Sequence, residues 1–175
     1  RYCTNCTLYR RFCNALCNSR ARAGSGIRPC NTPEDAAEYM AVNFWNLLTD
    51  ASRNYPSDSL LVSGVRKGEV EQKFADWTSV LDMVSPVVVE ESVSRVYDRA
   101  LSCERKDSSS NVFETFVNLF QKYFYDPNSP LRNEEHYLHY ASCLSSYDGF
   151  SEEERDRYAR HVSDCSLNRL GQVAS

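Results

Sequence analysis

The uneven placement of cysteine constrains this chain more than any other feature. Eight cysteines stand at Cys3, Cys6, Cys13, Cys17, Cys30, Cys103, Cys143 and Cys165. Five fall within the first 30 residues, and three are spread over the other 145. An even count at this density points to disulfides, and disulfides persist in oxidising compartments, so the expectation is a secreted or cell-surface protein. If all eight pair within the chain, at least one bridge must cross from the first group to the second. The N-terminal segment, residues 1–31, is then stapled to the body. Eight cysteines allow about 105 connectivities, and spacing does not choose among them. A rival reading takes Cys3-x2-Cys6 and Cys13-x3-Cys17 as two zinc-ligand pairs. The six residues between the pairs are fewer than zinc ribbons use, and four cysteines would be left over.

Length and composition set the other bounds. With 175 residues the chain is one helical domain over 1–175 with room for a proper core. Apolar residues make up 42% and charged residues 25%, which excludes wholesale disorder. No run approaches the roughly 18 apolar residues of a membrane-spanning helix. The start at Arg1, with neither methionine nor an apolar leader, fits a mature extracellular product or ectodomain, and Asn5-Cys6-Thr7 matches a glycosylation acceptor.

Charge is as uneven as cysteine. Residues 1–30 hold six arginines and no acidic residue, whereas the full chain is at −4, so the remainder is at −10. Arg10, Arg11, Arg20 and Arg22 are candidate contacts for an acidic protein or an anionic glycan. Nucleic acid is excluded as a partner by the compartment and by the scarcity of interleaved aromatics.

Apolar periodicity predicts helices. Thr32-Pro33-Glu34-Asp35 combines a cap oxygen, a proline at the first helical position and two carboxylates, and opens a helix reaching Asn54. Residues 57–68 are ambiguous, with Gly64 and Gly68 bracketing a turn. Further helices are expected over Glu69–Val84, from Ser85-Pro86 to Glu104, over Val112–Tyr125 and over Asn133–Ser146. A last one runs from the Ser151 capping box to Leu170. The expected fold is all-α, an irregular disulfide-stapled bundle of five to six helices with a cysteine-rich N-terminal segment.

Catalytic patterns are missing. No glycine-framed nucleophile or phosphate loop occurs, and the acidic runs sit in helical first turns where the helix dipole accounts for them. Glu135, His136 and His139 share a helical face, but a metal needs a third or fourth converging ligand. The expectation is therefore no enzyme, no cofactor and no metal. Tyrosine stands out with 11 copies, and Tyr123, Tyr125, Tyr137 and Tyr140 cluster on two successive helices as candidate partner contacts. The functional expectation is a secreted or cell-surface module that binds an extracellular protein. The alternative is an extracellular carrier of a small apolar ligand in a cavity between helices.

Overall fold

The computed structural model describes residues 32–55 and 58–167. Among the described residues there are six helices: α1 (Pro33–Asn43), α2 (Lys67–Leu81), α3 (Pro86–Lys106), α4 (Val112–Phe120), α5 (Glu134–Ser145) and α6 (Glu152–Leu167). Between α1 and α2 lies a hairpin of two-residue strands, β1 (Leu61–Val62) and β2 (Val65–Arg66), and a π-helical turn over Gln121–Tyr125 extends α4. Helix α3 packs against α1, α4 and α5, and α6 packs chiefly on α5.

The helix starts are chemically explicit. Asp35 N–H donates to Thr32 Oγ1 at 3.1 Å and Thr32 N–H donates to Asp35 Oδ2 at 3.1 Å, a reciprocal capping box. Ser151 and Glu154 repeat the device at α6, with Ser151 N–H donating to Glu154 Oε2 at 2.9 Å. Asn133 caps α5 by accepting from His136 N–H at 3.1 Å.

Helix α1 ends at Asn43, well short of the expected Asn54, for a reason that lies far along the chain. The Ala41 carbonyl accepts from Trp77 Nε1 at 3.1 Å and from Ser92 Oγ at 2.5 Å. Two side chains from α2 and α3 thus occupy the acceptor that the amide of Trp45 would use. The chain continues through turns over residues 44–49, in which Arg99 donates to Asn46 O at 2.8 Å and to Thr49 Oγ1 at 2.9 Å. The ambiguous stretch resolves as the hairpin, with Leu61 opposite Arg66 and Val62 opposite Val65. Its turn residues Ser63 and Gly64 both have positive φ, 48° and 77°, as a two-residue hairpin turn requires. The expected fourth helix changes character at Gln121. Asp126 N–H reaches back five residues to Gln121 O at 3.0 Å, the π pattern.

The core is aromatic. Trp45 packs edge-on against Trp77 and Phe116, with ring centroids 6.0 and 5.0 Å apart, and Phe74 meets Phe120 at 5.3 Å. Phe120 and Tyr140 stack almost parallel at 3.8 Å, joining α4 to α5.

The disulfide-stapled all-α bundle is corrected by this structure. Cys103, Cys143 and Cys165 are free. Without them the parity argument for a bridge from the N-terminal segment to the body fails, and aromatic packing holds the described helices together instead. Cys3, Cys6, Cys13, Cys17 and Cys30 lie outside the described residues.

Candidate functional site

Where α2 gives way to α3, the chain turns sharply over Asp82–Ser85 and exposes aliphatic side chains. Three turn-type hydrogen bonds close this corner: Asp82 N–H to Thr78 O, Met83 N–H to Val80 O and Val84 N–H to Leu81 O, at 3.1, 3.1 and 3.3 Å. Met83 is 62% exposed and Val87 is 74% exposed. An open groove of about 370 Å³ lies between the corner and the start of α5. Leu81, Val84, Pro86 and Val89 supply its apolar surface, and Asp82, Glu135, His136 and His139 its polar one. Along the chain, exposed Met83 and Val87 alternate with the lining residues Asp82, Val84 and Pro86.

His136 is buried, its ring edge-on to Phe124 with centroids 5.3 Å apart, and its Nδ1 has no hydrogen-bond partner. Burial pushes its pKa below the ordinary histidine value, against the opposing pull of Asp82 and Glu135. The ring is therefore neutral at pH 7. His136 and His139 do share the face expected from their spacing. Among the described residues, however, no group of three or more His, Cys, Asp or Glu side chains is placed to hold a metal ion.

Of the four tyrosines expected as partner contacts, Tyr123 and Tyr125 are half-buried and two are not on the surface. Tyr137 and Tyr140 are completely buried, so neither meets a partner on the folded surface. Tyr137 shares a hydrogen bond with His161 Nδ1 at 2.8 Å, and the Tyr125 ring stacks on both, at 4.7 Å from Tyr137 and 4.2 Å from His161. Burial raises the Tyr137 pKa and lowers that of His161, so a neutral phenol faces a neutral imidazole. Half-buried Tyr123 donates to Glu71 Oε1 at 2.5 Å, and Lys122 pairs with the same carboxylate. These four tyrosines tie α4, its π turn, α5 and α6 to their neighbours. Arg10, Arg11, Arg20, Arg22 and Asn5 lie outside the described residues.

Two other hollows are less suited to a ligand. One of about 50 Å³, lined by Asp50, Asn54, Cys103, Lys106 and Asn111 among others, has room for a water or two. A second groove of about 400 Å³ runs along Glu91, Ser94, Arg95, Asp98 and Arg99, an evenly mixed charged face of α3. The three body thiols are held protonated by burial, Cys165 pushed up to about 11, so none is an activated nucleophile at pH 7. No helix among the described residues is long and apolar enough to cross a membrane.

The corner is hard to find from sequence. Its only signal is Met83 and Val87 standing off the apolar stripes of α2 and α3, on either side of a proline.

A crystal structure of a thioredoxin-like protein from Bacteroides caccae superposes on this chain with a TM-score of 0.67 at 24% identity. The match takes in 86% of this chain and 50% of that one, so the chain spans half the length of that structure. At this identity the likeness is one of fold alone, and it completes the correction of the expected stapled bundle: the architecture is one found within a thioredoxin-like protein. No curated protein matches the chain. The profile of a family described as a domain of unknown function, DUF5106, matches residues 29–168. That span takes in every described helix and, of the five N-terminal cysteines, Cys30 alone. The chain belongs to the DUF5106 family.

Proposed function

We propose that this chain is a protein-interaction module, not a catalyst, and that its contact face is the α2–α3 corner with the groove beside it. The observation that carries this reading is that two largely exposed aliphatic side chains, Met83 and Val87, adjoin in sequence the residues Asp82, Val84 and Pro86 that line an open groove. Aliphatics grouped around a hollow and rimmed by polar groups are characteristic of partner sites. Among the described residues, the thiols of Cys103, Cys143 and Cys165, held protonated by burial, support the non-catalytic part. A fold that spans half of a larger structure supports the word module. The partner is a protein, as the sequence suggested. Free cysteines in the body withdraw the main support for an extracellular setting, and the reading does not need that setting. The carrier alternative draws no support from the region between α4 and α5, where Phe120 and Tyr140 stack directly on each other with ring centroids 3.8 Å apart.

Selection of displayed peptides on the immobilised chain tests the reading. Enriched peptides are expected to bind the wild type and to lose about tenfold or more in affinity on Met83→Asp/Val87→Asp, since a charge in the apolar contact costs at least about 1.4 kcal/mol. Peptides that bind both proteins equally, or no enrichment at all, would contradict it.

A further inference from the structure

We infer that α6 is a pH-sensitive latch: protonation of His161 in mildly acidic solution loosens α6 from α5 and the π turn while the other described helices stay folded. This device lies under α6 and is independent of the contact face at the α2–α3 corner.

Helix α6 is held along one narrow stripe. Of its 16 residues only Tyr158 and Cys165 are buried, and His161 and Val162 between them are half-buried. Helix α3, by contrast, buries eight of its 21. Spacings of three and four residues put the four α6 side chains on one face, with His161 near its middle. The His161 ring stacks on Tyr125 from the π turn, lies edge-on to Tyr158 with centroids 5.6 Å apart, and shares the 2.8 Å hydrogen bond with Tyr137 of α5. A helix with so little buried apolar surface opens at lower free energy than the core around it.

The bond between Tyr137 and His161 suits one protonation state. The Tyr137 side chain is completely buried, and among the described residues its hydroxyl has no other hydrogen-bond partner. Its proton is satisfied by donation to Nδ1 of the neutral imidazole, whose Nε2 then carries the ring hydrogen. A second ring proton goes to Nδ1 and turns that acceptor into a donor. The phenol oxygen must then accept, and the Tyr137 proton is left in the interior without an acceptor. When α6 moves out, water solvates the imidazolium and the phenol alike.

The surrounding groups do not rescue the imidazolium in place. Burial opposes it most, Arg157 and Arg160 on α6 oppose it as well, and Asp164 favours it. Tyr137 of α5 and Tyr125 of the π turn bring neutral hydroxyls, both held protonated by burial. The Arg132–Glu134 ion pair at the start of α5, and Glu135 beside it, bear on Cys165, one turn further along α6.

Amide hydrogen exchange in the whole 175-residue chain, corrected for the intrinsic pH dependence of exchange, reads the opening of each helix. Amides of α6 are expected to open more readily than those of α3 at both about pH 7.5 and about pH 5.5. Between these two values α6 opening is expected to rise about tenfold, because the released His161 titrates at its ordinary value of about 6.5. His161→Gln is expected to abolish that rise. His136→Gln is expected to keep it, since the His136 ring packs on Phe124 and lines the corner groove. Thermal melts check that each variant is folded. A common opening free energy for α6 and α3 would overturn the inference, because α6 would then open only with the whole fold. A rise under about twofold, one that persists in His161→Gln, or one lost in His136→Gln would overturn it equally. Should His161→Gln not fold, the wild-type readings and His136→Gln decide the matter.

Discussion

Single atoms in this core make the sharpest demands. The Tyr140 hydroxyl is completely buried and has no hydrogen-bond partner, a condition that costs about 1–3 kcal/mol. Its ring, stacked on Phe120, does the packing. Tyr140→Phe is therefore expected to raise the unfolding free energy by about 1 kcal/mol in denaturant melts; a loss of stability would show that the hydroxyl has a bonding role. The histidines make a second demand, one that depends on pH. Burial lowers the pKa of His136 and His161 in the folded chain. As pH falls below about 6.5, the ordinary histidine value, the unfolded chain takes up these protons before the folded one does. The stability they confer is complete above that value and declines as pH drops toward the lower folded-state values. Melting temperature is expected to be lower at about pH 5.5 than at about pH 7.5, with a smaller drop in His136→Gln/His161→Gln. The carboxylates whose pKa is lowered, such as Glu71 beside Lys122 and Tyr123, act at more acidic pH and leave this window clear. An equal drop in the double variant would contradict the assignment.

Elements follow from local chemistry where their caps are local. Thr32-Pro33-Glu34-Asp35 and Ser151-Glu152-Glu153-Glu154 announce the starts of α1 and α6 in plain sequence, and the reciprocal hydrogen bonds are there. The end of α1 was not legible, because the donors that occupy the Ala41 carbonyl come from Trp77 and Ser92, 36 and 51 residues away. Periodicity puts Tyr137 on an inward face but cannot say that Tyr140, three residues on, is buried just as deeply between α4 and α5. Nor does periodicity report a surface that arises only where two helices meet at a corner, which is how the groove at Asp82–Pro86 escapes it. The Ala41 arrangement is open to test. Ser92→Ala is expected to cost about 1 kcal/mol in chemical denaturation, since Trp77 keeps the carbonyl satisfied. A change near zero would mean that the Ser92 hydroxyl contributes nothing to holding α1 on α3.

The molecule as a whole is an aromatic-cored helical body whose described cysteines are packing residues. Cysteine density suggests bridges, but Cys103, Cys143 and Cys165 behave as small, largely buried apolar groups, with thiols raised by desolvation. Without reductant, these three are expected to react slowly with a thiol reagent in the native protein and fully once it is denatured, as read by peptide mass mapping. A bridge found at any of the three would contradict the fold as described. The exposed aliphatic corner and the groove beside it both bear on binding, and one measurement addresses them together. Titrating the isotope-labelled chain with a peptide enriched on it by display selection and following its NMR spectrum is expected to shift the Met83 methyl, the Val84, Val87 and Val89 methyls and the His139 ring. Signals from α6 should stay in place. Shifts centred on Arg95 and Arg99, or spread evenly over the acidic surface, would contradict the corner as the contact face.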